Sequence, residues 1–224
     1  MDLGLAGKTA LVTGAGRGIG WATAQMLAAE GCQVVVVSRS FPPRQEAMSL
    51  AVPHHQLTLD LAQTGAAAHL MQALQERRLS PDIVVNNLGG TVANCTPLGS
   101  LQNWQDAYRL NLEIAVELNQ LLLPAMQARG WGRMVQLASI SALETQGHPT
   151  YCAMKAALMA YTRSLGRTVC SQGVAVSAVL PGAVLTEGGY WEAALAERPD
   201  HAQRFVQERM AIGRLGTPQE IAGF

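Results

Sequence analysis

A phenol and a primary amine stand four residues apart in the segment Tyr151-Cys152-Ala153-Met154-Lys155. Residues at this spacing lie on the same face of a helix, so the two side chains are neighbours there. An ammonium beside a phenol favours the phenolate and lowers the pKa of the tyrosine, which can then exchange a proton with an alcohol or carbonyl oxygen. Such a pair is by itself more often a surface contact, so its interpretation depends on its surroundings.

Ser139 provides those surroundings, because it follows a short apolar segment that predicts a buried strand over 133–138. Ligands of open parallel sheets bind at the carboxyl ends of the strands, and a hydroxyl at that edge can hydrogen-bond a reacting oxygen. The three side chains together predict an acid–base site for a carbonyl or alcohol.

A glycine-rich segment, Thr13-Gly14-Ala15-Gly16-Arg17-Gly18-Ile19-Gly20, separates the first predicted strand from the first predicted helix. In that position the glycines allow a tight turn whose backbone can approach a pyrophosphate at the positive end of the helix. The context therefore predicts a dinucleotide site, whereas the glycine spacing alone is a weak signal.

The end of the second predicted strand, Ser38-Arg39-Ser40, indicates whether the dinucleotide is NAD or NADP. A site that prefers NAD usually has a carboxylate here for the ribose hydroxyls, and none is present. Arg39 can pair with a 2′-phosphate, and Arg17 in the glycine loop can approach the same group from the other side. This pattern predicts NADP(H) as the cofactor.

Six short, mostly apolar segments must position these residues, and they alternate with segments of helical period. This alternation is typical of a parallel sheet covered by helices. We predict strands over 9–13, 33–38, 56–59, 83–86, 133–138 and 174–180, and helices over 19–30, 101–127 and 151–170. The predicted fold is α/β: a three-layer Rossmann fold with a doubly wound parallel sheet, formed as a single domain by residues 1–224.

Within the first predicted helix, the stripe expected to face the sheet contains Ile19, Ala22, Thr23, Met26 and Leu27. In the other two helices, the predicted stripes are Leu110, Ile114, Leu118, Leu121 and Leu122, and Ala156, Ala160 and Leu165.

The pattern changes after Leu180, where glycine, proline, charged and aromatic residues mix without a clear period. We predict that residues 183–215 form a lid over the substrate, closed by Tyr190 and Trp191. The capping box from Thr217 to Glu220 predicts the start of a helix, which only four residues follow. The expectation is a fold that lacks its last strand and leaves the strand over 174–180 as an open edge.

Composition limits the other functions. Hydrophobic residues make up 49% of the 224 residues and charged residues 14%, and the formal net charge is +0. This balance argues against a large basic surface for nucleic acid or anionic membrane. Cys32, Cys95, Cys152 and Cys170 are dispersed, His54 and His55 lack ligand partners, and no secretory signal precedes the first strand. We therefore expect a cytoplasmic protein without a metal site.

Taken together, the motifs resemble those of the short-chain dehydrogenase/reductase family, most closely the 3-oxoacyl-carrier-protein reductases. The matching features are the glycine loop, the Asn-Asn-x-Gly turn, an asparagine in the following helix, the serine, tyrosine and lysine set, and a Pro-Gly pair followed by threonine. They occur here as Gly14, Gly18 and Gly20; Asn86, Asn87, Leu88 and Gly89; Asn111; Ser139, Tyr151 and Lys155; and Pro181, Gly182 and Thr186.

The resemblance implies hydride transfer between NADP(H) and a carbonyl or secondary alcohol. It makes Tyr151 the acid/base, Ser139 the group that orients the substrate oxygen, and Lys155 a contact of the nicotinamide ribose. Asn111 would hold a water in a relay to Lys155. The implied cofactor contacts are Gly14, Arg17, Gly18, Ile19, Gly20, Ser38, Arg39, Asp60, Leu61, Asn87, Gly89, Tyr151, Lys155, Pro181, Gly182, Val184 and Thr186.

Within that set, Asp60 and Leu61 would receive the adenine, and Val184 and Thr186 would contact the carboxamide. The family also implies a homo-oligomer, a dimer or tetramer, built partly on the two long helices.

Two departures from the family pattern affect the site. Leu88 replaces the usual alanine, and Ser139 stands twelve positions before Tyr151, one fewer than is common, which leaves Ser141 as a rival. In the same loop, Glu144, Gln146 and His148 either contact substrate or are simply solvated.

Two readings without turnover also stay open: a nucleotide-binding scaffold or sensor with the same fold, and a partner-binding module built on the long helices. For an enzyme, an acyl thioester, a sugar and a small polyol or ketone all remain candidate substrates.

Overall fold

Six parallel strands form one sheet in the computed structural model, which describes residues 2–42, 54–92, 98–144 and 147–224. Their spatial order is β3-β2-β1-β4-β5-β6, which confirms the predicted doubly wound sheet. The chain reverses its direction of winding between β1 and β4, where such sheets have a crevice at their carboxyl edge. The strands are β1 Thr9–Thr13, β2 Gln33–Ser38, β3 His54–Thr58, β4 Ile83–Asn86, β5 Gly132–Leu137 and β6 Val174–Val179.

Hydrophobic side chains alternate between the two faces of the sheet and form a core on each. Leu11, Val35 and Val84 pack with one core, whereas Val12 and Val36 pack with the other. The predicted burial on both faces is confirmed in β1, β2 and β4. It is wrong for β3 and β6, where only Leu57 and Val174 are fully buried, because these two strands lie at the edges of the sheet.

Helices cover both faces. The described helices are α1 Gly18–Ala29, α2 Ala66–Glu76, α3 Leu101–Tyr108, α4 Ile114–Arg129, α5 Pro149–Val169, α6 Tyr190–Glu197, α7 Pro199–Arg209 and α8 Pro218–Ala222. Helices α2, α4 and α5 pack on one core, and α1 and α8 on the other. The helix predicted over 101–127 is interrupted by a π-helical stretch, Arg109–Glu113, between α3 and α4.

The face that α1 turns to the sheet agrees only in part with the predicted stripe, since Ala22 is buried and Ile19 and Leu27 pack on the core. Met26 is 40% exposed, whereas Gly20, Ala24 and Ala28 are buried. These small residues recur every four positions and let the helix backbone approach the strands closely, which a long methionine side chain prevents. Hydrophobicity therefore selected Ile19, Ala22 and Leu27 correctly and Met26 wrongly, and it missed the small residues that make the closest approach.

Leu121 in α4 and Ala160 in α5 are likewise exposed in the structure, against the predicted stripes. In α5 the fully buried positions are Thr150, Lys155, Leu158, Thr162 and Val169, so polar side chains take part of the inward face.

Backbone hydrogen bonds join the two ends of the segment after β6. Leu185 N–H donates to the Gly216 carbonyl at 2.9 Å, and Gly216 N–H donates to the Ala183 carbonyl at 2.9 Å. Helices α6 and α7 lie between these ends. Trp191 of α6 packs on Phe205 of α7, with the two ring centroids 4.2 Å apart. Trp191 thus joins two helices that the sequence pattern did not reveal.

The capping box at Thr217 is confirmed, since Thr217 and Glu220 each accept the other's backbone N–H. Ile221 of α8 packs with the core beside α1, so this short helix is not isolated. None of the helices in the described ranges combines the length and apolar character that crossing a membrane requires.

Candidate active site

The glycine loop leaves the amino end of α1 open. Gly14 and Gly18 have φ of +63° and +59°, a backbone conformation that favours glycine. A Cβ on Gly18 would lie 3.1 Å from the Thr186 methyl, and one on Gly20 would collide with the Asn87 amide. No side chain caps the helix, whose N-cap is Arg17. The free N–H groups of the first turn therefore suit an anion such as a pyrophosphate.

The Thr13 hydroxyl joins the glycine loop to the turn after β4. It accepts the backbone N–H groups of Asn87 and Leu88, each at 3.1 Å. The Asn87 amide donates to the carbonyls of Thr13 and Gly14 at 2.9 and 3.1 Å. Leu88 packs against the adjacent core, so the larger residue at this position is accommodated. Sequence reasoning missed the role of Thr13, although it directly precedes the first glycine.

The two arginines expected around a 2′-phosphate have different surroundings. Arg39 is exposed at the end of β2 and makes no hydrogen bond or ion pair with any residue in the described ranges. The Arg17 guanidinium lies against Gly188, in the loop after β6, so closely that a Cβ there would collide with it. The sequence predicted that Arg17 approaches the 2′-phosphate from the side opposite Arg39. In the structure its guanidinium lies beside Gly188 instead. Of the two arginines, Arg39 is the one at the end of β2, next to Ser38.

The loop after β3 follows the end of β2, because Leu59 N–H donates to the Ser38 carbonyl at 2.8 Å. Asp60 begins a turn in which its carboxylate accepts the Ala62 N–H at 3.0 Å. The Leu61 side chain is only 3% exposed and packs in the core. Any contact of Leu61 with a cofactor must therefore come from its backbone.

Ser139 and Tyr151 meet at the carboxyl edge beyond β5. The Ser139 hydroxyl is hydrogen-bonded to the Tyr151 phenol and also accepts the Ser141 N–H at 3.1 Å. Burial raises the pKa of Tyr151, and the hydrogen bond from Ser139 lowers it in part. Ser139, and not Ser141, is therefore the hydroxyl placed on the phenol.

Lys155 is buried one helical turn after Tyr151. Its Nζ donates to the Leu137 carbonyl at 2.5 Å and lies 5.6 Å from the centre of the Tyr151 ring. Removal from water lowers the pKa of Lys155 to about 8. The ammonium was expected to lower the pKa of Tyr151, but burial raises that pKa. The amine faces the ring and a carbonyl, not the phenol oxygen.

Asn111 lies in the π-helical stretch and is 2% exposed. Its amide oxygen accepts the Gly90 N–H at 2.9 Å, and its nitrogen donates to the Gly90 and Ala107 carbonyls at 2.9 and 3.1 Å. A Cβ on Gly89 would lie 2.9 Å from both the Asn111 oxygen and Lys155 Nζ. The absence of a side chain on Gly89 therefore lets Asn111 and Lys155 approach its backbone closely.

The segment after β6 borders the site. The Pro181 carbonyl accepts the Ile140 N–H at 3.0 Å, which joins this segment to the turn that contains Ser139. Gly182 is exposed, with the Met210 methyl 3.9 Å from where its Cβ would be. Val184 pairs with Gly216, and Thr186 lies over Gly18.

Two exposed residues of the loop before Tyr151, Glu144 and His148, lie at the same edge, whereas Gln146 is outside the described residues. A Cβ on Gly147 would be in van der Waals contact with Ser141, Tyr151 and Cys152, so Gly147 lies beside the Tyr151 ring.

Comparison with known proteins agrees with this geometry. The profile of the family described as short chain dehydrogenase matches residues 8–191. The chain is 32% identical to the 3-oxoacyl-[acyl-carrier-protein] reductase FabG of Pseudomonas aeruginosa, over 98% of this chain and 89% of that protein. It is also 32% identical to FabG of Escherichia coli, over 96% of this chain and 87% of that protein.

Solved structures give the same result. L-sorbose reductase from Gluconobacter frateurii, complexed with NADPH and L-sorbose, superposes with a TM-score of 0.91 at 30% identity, covering 100% of this chain and 90% of that one. A 3-oxoacyl-(acyl-carrier-protein) reductase from Agrobacterium tumefaciens with NADP bound superposes with a TM-score of 0.87 at 30% identity, covering 98% and 86%. The chain belongs to the short-chain dehydrogenase family.

Proposed function

We propose that this protein is an NADP-dependent oxidoreductase that interconverts a carbonyl and a secondary alcohol. The observation that carries the proposal is the hydrogen-bonded Ser139 and Tyr151 pair, with Lys155 buried beside it, at the same sheet edge as the open end of α1. NADPH or NADP is bound in two structural neighbours, one named as a sorbose reductase and one as an oxoacyl reductase.

The residues present fit a dinucleotide. The uncapped first turn of α1 suits its pyrophosphate, and the glycine loop brings this turn to the same sheet edge as Tyr151 and Lys155. We assign the phosphorylated adenosine to the side of Ser38, Arg39 and Asp60, and the nicotinamide to the side of Tyr151. A nicotinamide held there supplies the hydride that the carbonyl carbon receives.

Tyr151 then donates its proton to the carbonyl oxygen. The raised pKa keeps the phenol protonated at neutral pH, so it begins reduction as an acid. Ser139 donates its single hydroxyl proton in a hydrogen bond to the same oxygen as charge develops there. Lys155 supplies positive charge near the ring, and a water held near Lys155 and Asn111 would return the proton.

The function is tested with a panel of carbonyl substrates and NADPH. Among the relatives are proteins named for oxoacyl thioesters and for L-sorbose, so the panel should contain a 3-oxoacyl thioester, ketoses and small ketones. Consumption of NADPH with any of them supports the proposal. Tight NADPH binding without turnover across the panel would favour the scaffold or sensor instead.

Arg39→Asp is expected to reverse the cofactor preference, because it removes the cation beside the 2′-phosphate and places an acceptor for ribose hydroxyls there. We expect kcat/KM for NADPH to fall by about 10–100-fold and kcat/KM for NADH to rise. Steady-state kinetics with both cofactors measure this. Arg77→Asp, an equal charge change at the exposed end of α2, is the control. Equal efficiency of the unmodified protein with NADPH and NADH would contradict the assignment.

Cofactor binding is expected to weaken as pH rises through about 8, because Lys155 loses its proton there. Below that pH the amine is a cation, and above it the amine is neutral and can no longer donate a charge-assisted hydrogen bond to the nicotinamide ribose or stabilise the tyrosinate. The profile of kcat/KM for NADPH reports groups of the free enzyme and should fall on its alkaline side. A profile flat to pH 10 would contradict this role.

The protein is further proposed to be a homo-oligomer, dimer or tetramer, in the cytoplasm. Exposed Leu121 in α4 and Ala160 in α5 support association through these helices. Sedimentation of the purified protein measures the assembly.

A further inference from the structure

One guanidinium group joins two segments far apart in the sequence. Arg109 Nε donates to the Ala62 carbonyl at 3.2 Å, and its Nη2 donates to the carbonyls of Leu61 and Gln63 at 3.2 and 3.1 Å. These three carbonyls belong to the loop between β3 and α2. A charged, planar donor on three successive carbonyls leaves that loop little freedom.

The guanidinium is itself held from behind. Its Nη1 lies 3.2 Å from a Glu113 carboxylate oxygen and 2.9 Å from one of Glu117. The Arg109 side chain is only 16% exposed, so these ion pairs are shielded more than surface pairs are. All three guanidinium nitrogens thus have partners, and the side chain has one well-defined position.

Arg109 also stands on a fixed support. It is the first residue of the π-helical stretch, whose Asn111 is hydrogen-bonded to Gly90 in the turn after β4. The helix is therefore anchored to the catalytic side of the sheet without Arg109. Through the guanidinium, the loop after β3 is positioned relative to that side.

Leu59, the first residue of the loop, is hydrogen-bonded to the end of β2, and Asp60 and Leu61 follow it. We infer that Arg109 is a positioning residue for the adenine end of the cofactor site, acting through the backbone of residues 61–63. The inference rests on the proposed function, because it takes the dinucleotide to lie along this edge. It goes further in giving a role to a residue that does not touch the cofactor.

Arg109→Met tests the inference, because methionine keeps the apolar stem and removes every donor. We expect the affinity for 2′,5′-ADP and the KM for NADPH each to weaken by about tenfold, with kcat at saturating NADPH changed less than about twofold. Arg109→Lys keeps the charge and a single donor group. Its affinity for 2′,5′-ADP should therefore lie between that of the unmodified protein and that of Arg109→Met.

Arg129→Met is the matched control. Arg129 holds a loop in the same manner, donating to Ser80 and the Pro81 carbonyl at 2.6 and 2.8 Å, but at the opposite end of α4. It should lose stability without the tenfold loss of 2′,5′-ADP affinity. Equal losses of affinity in both variants, unchanged affinity in Arg109→Met, or a fall in its kcat alone would each overturn the inference.

The design separates this inference from the proposed function. If the unmodified protein binds NADPH but turns over no carbonyl, the enzyme assignment fails while the ADP comparison still tests Arg109. If Arg109→Met melts well below the assay temperature, Arg109→Lys and Glu117→Gln, which loosens the support, carry the same test. Unchanged affinity for 2′,5′-ADP in both of these variants would then contradict the inference.

Discussion

Tyr151→Phe is expected to fold and to bind NADPH like the unmodified protein while losing about 10²–10⁴-fold in kcat, the usual contribution of a general acid. Only the hydroxyl is removed, and the ring keeps its place against Lys155 and the loop before α5. Ser139 loses one partner but still accepts the Ser141 N–H. Steady-state turnover, cofactor fluorescence and thermal melting together measure the three expectations.

The same helix offers a matched control for Tyr151→Phe. Tyr161 is also half-buried, its hydroxyl accepts a hydrogen bond from Asn119 at 3.2 Å, and burial raises its pKa too. Tyr161→Phe should cost some stability and leave turnover within a few-fold of the unmodified protein. Retention of most activity by Tyr151→Phe, or equal losses in the two variants, would refute the acid/base role.

The sheet was predictable because its strands are short and apolar on both faces. The bounds of β1, β2 and β4 agree with the predicted ones, since turn residues or polar side chains delimit each run. The strand β3 begins two residues before its predicted start, at His54, because pairing with Val34 extends it through two histidines. Backbone hydrogen bonding there includes residues that no hydrophobic pattern selects.

Helix faces were harder to predict, because hydrophobicity does not measure how closely two backbones approach. Met26 satisfied the apolar period of α1, yet Gly20 and Ala24 occupy the contact with the sheet. In α5, Lys155 takes an inward position that its charge argues against. The helices α6 and α7 gave no clear period, because aromatic contacts between them replace a sheet-facing stripe.

Within the candidate site, short-range motifs were informative and long-range contacts were not. Tyr151 and Lys155 share a helix, so their spacing predicted their proximity. Arg109 and the carbonyls of residues 61–63 are 46–48 positions apart, and a backbone acceptor has no signature in the sequence. The pKa of Tyr151 was mispredicted for the same reason, since burial depends on the packed fold and not on the spacing of two residues.

Lys155→Met is expected to abolish most turnover and at the same time to make the protein more stable near neutral pH. The pKa of Lys155 is about 8 in the folded chain against an ordinary value of 10.5. This lowered pKa means that burial disfavours the charged form of the amine. At pH 7 the amine is charged in both states, so burying the ammonium lowers the free energy of unfolding by its full amount, about 3 kcal/mol at most. Methionine fills a similar volume without that cost.

The gain is partly offset, because the Leu137 carbonyl loses the Lys155 donor, a loss of about 1 kcal/mol. A net increase of about 1–2 kcal/mol in the free energy of unfolding at pH 7 remains. Lys8→Met is the control. The Lys8 amine lies 4.3 Å above the Trp131 ring and is not fully buried, so its removal should not stabilise the fold.

The pH dependence identifies the cause. Between pH 8 and 10.5 the unfolded chain binds more protons at Lys155 than the folded chain does, so the stability of the unmodified protein gains from this group as pH rises. Its disadvantage against Lys155→Met should therefore shrink across that interval. Urea unfolding at pH 7 and pH 9.5 measures both differences. A less stable Lys155→Met at pH 7, or a gap that does not narrow, would show that the buried amine costs the fold nothing.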